Sequence, residues 1–253
     1  MDKLQIVLIL AFFLTYCNTQ IRYCAPELCP SGVHIACQNQ NRLFSPDCKA
    51  PRHLVNITRF KNLIVYNHNL YRHRVASGSM KRFRPAERMT TMLWDDELAY
   101  LAALNSITCK MEHDECRNTW RFKYSGQNLA RRYSKPNIYT PRDIIVASID
   151  GWFNEYKITT MADIRNYQSS SRMIGHFTVM MNDKNNRVGC ALTKHSPHGG
   201  AEYYFACNYA STNVINKPVY KEGRAASKCT TGTNHLFSGL CRSYEPIDVN
   251  RWF

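Results

Sequence analysis

The cysteines limit the folds open to this chain more than any other feature. The sequence holds 11 of them, an odd number. One, Cys17, closes an amino-terminal stretch in which Lys3 precedes an apolar run from Leu4 to Tyr16. The run is too short and too near the terminus for a spanning helix and reads as a secretory leader. Cys17 and Thr19 are small residues three places and one place before a cut after Thr19. That cut leaves an even set: Cys24, Cys29, Cys37, Cys48, Cys109, Cys116, Cys190, Cys207, Cys229 and Cys241. An even set in an exported chain implies disulfides, because the compartment is oxidising. Each bridge adds about 2–4 kcal/mol, chiefly by restricting the unfolded chain. No later segment is long and apolar enough to cross a bilayer, so the expected product is secreted, extracellular and without a transmembrane segment. Asn56-Ile57-Thr58 then offers a glycosylation site.

The 253 residues fit one sizeable domain with small extensions. Residues 1–19 form the leader and 20–58 a cysteine-rich, loop-rich segment. Residues 59–216 form the main domain, and 217–253 a polar extension whose two cysteines close one bridge. Apolar residues at three-to-four spacing predict a helix from Arg59 to Ala76, with Leu63, Ile64, Tyr71 and Val75 on one face and Gly78 as its stop. A second helix is predicted over Asp95–Ile107. A third spans Arg142–Tyr156, opened by Thr140-Pro141. Phe177–Met181, Arg187–Thr193 and Glu202–Tyr209 read as strands of an antiparallel meander. Early helices and late strands make an α+β domain.

A formal net charge of +14 bears on partners. Export leaves no role for nucleic acid. Acidic glycans, anionic membranes or acidic extracellular proteins fit, as does charge that only maintains solubility. Lys81, Arg82, Arg84 and Arg88 share one loop, and Arg131-Arg132 follow a glycine-led turn. No Gly-x-Ser-x-Gly elbow is present, and the cysteines are committed to bridges, so no nucleophile is named and no enzyme activity is expected. Ser125, beside Gly126, is ordinary loop chemistry.

Five motifs occur in a specific order: Cys109-Lys-Met-Glu-His113-Asp-Glu-Cys116, Gly126-Gln127-Asn128-Leu129-Ala130, Gly151-Trp152-Phe153-Asn154-Glu155-Tyr156, Gly175-His176-Phe177-Thr178 and Tyr204-Phe205-Ala206-Cys207-Asn208-Tyr209. With Gly32-Val33-His34-Ile35-Ala36-Cys37 and Leu93-Trp94-Asp95-Asp96-Glu97, they resemble the CAP superfamily of cysteine-rich secretory, antigen 5 and pathogenesis-related proteins. The insect antigen 5 branch of venom allergen-like proteins is the nearest likeness, over about Tyr23 to Tyr220. The resemblance implies a three-layer α-β-α sandwich. It also implies the pairs Cys24–Cys37, Cys29–Cys116, Cys48–Cys109 and Cys190–Cys207, leaving Cys229 with Cys241.

The family's cleft is lined by two histidines and two acids, which map onto His113, His176, Glu155 and Gln127. Two neutral imidazoles beside a carboxylate can hold zinc, although no metal or other cofactor is required. Glutamine at 127 removes one charge and one base, so metal binding is expected to be weak and lost at acidic pH. The same histidines serve equally as hydrogen-bonded cleft residues with no ion. Val179, Met180, Met181 and Asn182 depart from the family pattern, as do Ser211 and Asn213. Three functions follow. The first is a secreted non-enzymatic protein, a monomer, that binds a small ligand, lipid, metal or extracellular partner. The others are charge-driven adhesion to acidic glycans or membranes, and a metal-dependent peptidase. Tyr203, Tyr204, Phe205, Phe177 and Trp152 either line an apolar groove or fill the core.

Overall fold

Asp95, Thr140 and Thr160 start helices for a shared reason: each side chain satisfies an amide that the helix leaves without a partner. Asp95 Oδ1 accepts the Leu98 N–H at 3.0 Å. Thr140 and Asp143 form a reciprocal capping box, with Pro141 as the first helical residue, and Thr160 and Asp163 form another. The computed structural model describes residues 23–37, 39, 43–169 and 171–251. The expected leader, with Cys17 and Thr19, lies outside the described residues.

The element order is β1 (Arg52–Leu54), a 3-10 turn, α1 (Lys61–Ala76), β2 (Leu93–Trp94), α2 (Asp96–Ser106), β3 (Gly126–Ser134), α3 (Pro141–Asn154), α4 (Met161–Arg165), α5 (Gly175–Met181), β4 (Arg187–His195) and β5 (Ala201–Tyr209). Strands β3, β5 and β4 run antiparallel side by side. The outer edge of β4 is shared by β1, antiparallel, and β2, parallel.

Strand alternation splits the interior into two layers. Tyr203, Phe205, Cys207 and Tyr209 of β5, with Val188, Cys190 and Leu192 of β4, pack against Ile64, Ile145, Ile149, Phe153 and Phe177 of α1, α3 and α5. On the opposite face Leu129, Ala191 and Ala206 meet Ala102 and Ala103 of α2. The result is the three-layer α-β-α sandwich. Gly189 sets the depth of α2: a β-carbon there would lie 2.1 Å from the Ala99 nitrogen and 2.4 Å from the Asp95 carbonyl oxygen. A buried arginine joins the layers. Arg72 of α1 is fully enclosed and donates to the carbonyls of Thr90, Met180 and Asn182. Burial pushes its pKa down to about 9.

Two expectations need correction. Residues 175–181 form a helix, not a strand. Phe177 to Met181 are all buried, without the alternation of a half-buried strand, and a short apolar run carries no periodicity that separates the two states. The 126–134 segment, read as a turn, is the edge strand β3. It begins buried and leaves the core at Arg131-Arg132, charges of the kind that protect a sheet edge. The sheet therefore draws its third long strand from the middle of the chain. The extension after residue 217 is closed by the Cys229–Cys241 bridge and also packs on the domain. Phe237 and Leu240 enter the main core, and Val249 packs with Leu98 and Phe122.

Five disulfides join Cys24–Cys37, Cys29–Cys116, Cys48–Cys109, Cys190–Cys207 and Cys229–Cys241. Cys190 and Cys207 sit directly opposite each other on β4 and β5. Two other bridges tie the amino-terminal segment to the loop after α2, the loop that carries His113.

Candidate functional site

The loop after α2 is held at both ends by sulfur and in the middle by an amide. Asn105, in the last turn of α2, donates through Nδ2 to the Glu112 carbonyl at 3.1 Å and to Asp114 Oδ2 at 2.9 Å. Arg117 Nε lies 2.6 Å from Asp114 Oδ1. The exposed His113 ring projects from this frame toward β3. Gln127, the second residue of β3, donates through Nε2 to Asp114 Oδ2 at 2.7 Å and to Asn208 Oδ1 at 3.0 Å. Its Oε1 is thereby an acceptor, so His113 Nδ1 donates the 2.8 Å bond between them.

The second histidine is fixed in the same way. Glu155 follows α3 in a 3-10 turn and His176 is the second residue of α5. Glu155 Oε2 accepts the Phe177 N–H at 2.9 Å, and Oε1 accepts from His176 Nδ1 at 2.6 Å. The Trp152 ring stacks on the His176 ring, centroids 6.1 Å apart. Behind it, Asn128 donates through Nδ2 to the His176 carbonyl at 3.1 Å and to the Tyr209 hydroxyl at 3.2 Å. Tyr209 in turn bonds His68 Nε2 at 2.9 Å. Burial pushes His68 down to about 4, and its Nδ1 donates to the Ile64 carbonyl at 2.8 Å, so Nε2 of the neutral ring accepts the Tyr209 O–H.

His113, Gln127 and His176 line one cavity of about 480 Å³, together with Asn128, Val179 and Asn213. Glu155 supports it from behind His176. The structure thus brings His113, Gln127 and His176 to one cavity, with Glu155 bonded to His176 and each imidazole engaged through Nδ1. Metal-ligating histidines are oriented by such outer partners. The donor set is sparse. Both Glu155 oxygens are used, Gln127 carries no charge, and no group of three or more His, Cys, Asp or Glu side chains gathers to hold an ion among the described residues. The set falls short of the three protein ligands of an ordinary catalytic zinc site.

Among the described residues neither imidazole is bonded to a hydroxyl or thiol. Ser125 Oγ donates to the Phe122 carbonyl at 3.3 Å instead. The basic loop is partly committed: Arg82 Nε donates to the Thr159 carbonyl at 2.9 Å and Arg88 Nε pairs with Glu245 at 2.7 Å. In β3, Arg131 pairs with Glu202. Tyr203, Tyr204, Phe205, Phe177 and Trp152 are all buried. Asn56 is exposed and its Oδ1 accepts the Thr58 N–H at 3.2 Å. No helix among the described residues is long and apolar enough to cross a membrane. Sequence reasoning missed Asp114, Asn128 and His68. The first two lie inside the quoted motifs. His68 gave no signal, because its partners come from distant segments.

Fold and cleft together define a CAP domain, and the comparisons agree. The model of the cysteine-rich secretory protein family, CAP, matches residues 65–209. Venom allergen-1 of Aedes albopictus is 41% identical over 229 residues, 89% of each chain. The antigen 5 like allergen Cul n 1 of Culicoides nubeculosus is 40% identical over 212 residues, 80% of this chain and 94% of its own. Among solved structures, NaASP2 with Zn2+ aligns with a TM-score of 0.60 at 23% identity, covering 77% of this chain and 99% of that one. The chain belongs to the CAP family, in its antigen 5-like branch.

Proposed function

We propose that the protein is a secreted, non-enzymatic binding protein whose ligand site is the two-histidine cleft, and that the cleft takes a divalent cation such as zinc. One observation carries the reading: both imidazoles have Nδ1 engaged as a donor, to Gln127 Oε1 and Glu155 Oε1, and both line the same cavity. With Nδ1 engaged, Nε2 of each ring is the nitrogen that could serve an electron-pair acceptor, with water or a second ligand completing its shell. The related fold of NaASP2 has been solved with zinc, which supports the choice of metal. The absence of a hydroxyl or thiol on either imidazole supports a binding role over hydrolysis. The disulfides support an extracellular setting.

Zinc titration with thermal melting tests the reading. Zinc is expected to raise the midpoint at neutral pH, and less in acid, because protonated imidazole cannot ligate. His176→Ala and His113→Ala should each abolish the shift. A parent protein that melts at the same temperature with and without zinc would retire the metal.

A further inference from the structure

Two buried imidazoles outside the cleft clasp the amino-terminal cysteine-rich segment, and each does so as an acceptor. His34 lies within that segment and is buried. Its Nδ1 accepts the Ala36 N–H at 3.0 Å, so the ring proton sits on Nε2, which donates to the Asn118 carbonyl at 2.8 Å. His195 ends β4 and is equally buried. Its Nδ1 accepts the Lys49 N–H at 3.0 Å, and its Nε2 donates to Glu202 Oε2 at 2.9 Å. A protonated imidazole carries two N–H groups and has no acceptor left. Protonation of either ring would therefore set one N–H against another and leave a backbone amide without its partner.

The segment covers apolar surface. Ile35, Ala36 and Phe44 pack in one cluster with Leu101 and Leu104 of α2 and with Ile107, its C-cap. The Cys29–Cys116 and Cys48–Cys109 bridges fasten the same segment covalently. The charged surroundings of the two rings differ. His34 stacks on the Tyr23 ring and is faced by Asp114, Glu97 and Arg117. Burial has the largest effect and holds its pKa below 6.5; the Asn118 carbonyl and the two acids oppose this, while Arg117 assists. A lowered value keeps the His34 contact complete above about 6.5, and the contact is lost as pH falls through the folded value. His195 meets Glu202 and the Tyr204 ring, with Arg131 paired to Glu202 and Arg52 opposite on β1.

We propose that His34 and His195 form an acid-released latch: protonation of the two rings frees the amino-terminal segment from α2 and uncovers Leu101, Leu104 and Ile107, while the two disulfides keep the segment attached. The latch requires neither the histidine cleft nor zinc.

Amide hydrogen exchange of the full chain, read by NMR with disulfides oxidised, tests it at about pH 7.5 and about pH 4.5, with rates corrected for the intrinsic effect of pH. The lower value stays above the value of about 4 for His68. The Ala36 and Lys49 amides should lose protection about tenfold or more in acid, while the amides of β5 keep theirs. An apolar dye should brighten over the same range. His34→Asn with His195→Asn sets a non-titrating oxygen near each Nδ1 position, and this variant should keep both amides protected and the dye dim in acid. Should that pair fail to fold, nitrogen NMR of the parent replaces it. Both rings should then show the Nε2–H tautomer at neutral pH and become charged as the two amides lose protection. The latch is refuted if the parent keeps its protection or its dim dye in acid, if the variant loses protection as the parent does, or if either ring shows the Nδ1–H tautomer or stays neutral while protection is lost.

Discussion

Gln127→Glu restores the acid that the family resemblance implies at this position, and the structure says that it should harm the fold. The Gln127 amide donates to Asp114 Oδ2 at 2.7 Å and to Asn208 Oδ1 at 3.0 Å. A glutamate would present an oxygen to both acceptors. Two unit charges at the 2.7 Å separation repel by about 6 kcal/mol at an effective dielectric of about 20. Arg117, 2.6 Å from Asp114, removes part of that cost. The alternative is to keep the new carboxyl protonated, which restores a donor toward Asp114. Relative to an unfolded reference near 4.3, holding that proton at pH 7 costs about 3.7 kcal/mol, the cheaper route. The folded pKa is then raised. The variant's stability is intact below the unfolded pKa and is lost as pH rises toward the folded one. Urea unfolding with disulfides oxidised should show a penalty of about 3–4 kcal/mol at pH 7. Near pH 5 the penalty should shrink to about 1 kcal/mol, with a slope of about 1.4 kcal/mol per pH unit. A penalty independent of pH, or none at pH 7, would refute this account of why glutamine stands here.

Two further outcomes follow from the packing. Gly189→Ala drives a β-carbon into the backbone of α2, with contacts of 2.1 and 2.4 Å, and should cost about 3 kcal/mol or more in urea; a parent-like midpoint would contradict the seating of α2 on the sheet. Burial acts to raise the Glu245 carboxyl, but bonds from Thr230, Thr231 and Arg88 outweigh it and hold the group down at about 2. Its contribution is present above the ordinary value of 4.5 and is lost as pH falls through about 2. The melting gap between the parent and Glu245→Gln should therefore close over that window, and a gap that widens in acid would contradict the assignment.

Much of the architecture was legible because it rests on local chemistry. Thr140 marked a helix start through its cap, and the β-rich runs at 187 and 202 became β4 and β5. The Phe177 run misled because its burial comes from the sheet on one side and helices on the other, which composition does not encode. Strand β3 was hidden because a partly exposed edge strand lacks a continuous apolar face, and Arg131-Arg132 broke the pattern. The four cleft residues were found through family motifs, not through periodicity. What no spacing revealed was their wiring. Asp114 fixes the Gln127 amide and His68 backs the Tyr209–Asn128 chain across 141 residues of separation, an arrangement set only by tertiary packing.

The central claim is that His113 and His176 both keep the proton on Nδ1 and turn Nε2 to one shared cleft. Nitrogen NMR of histidine-labelled protein at neutral pH reads this directly. The account predicts the Nδ1–H tautomer for both rings, with zinc shifting both Nε2 signals together along one binding curve. An Nε2–H tautomer at either ring, or a response confined to one of them, would contradict it.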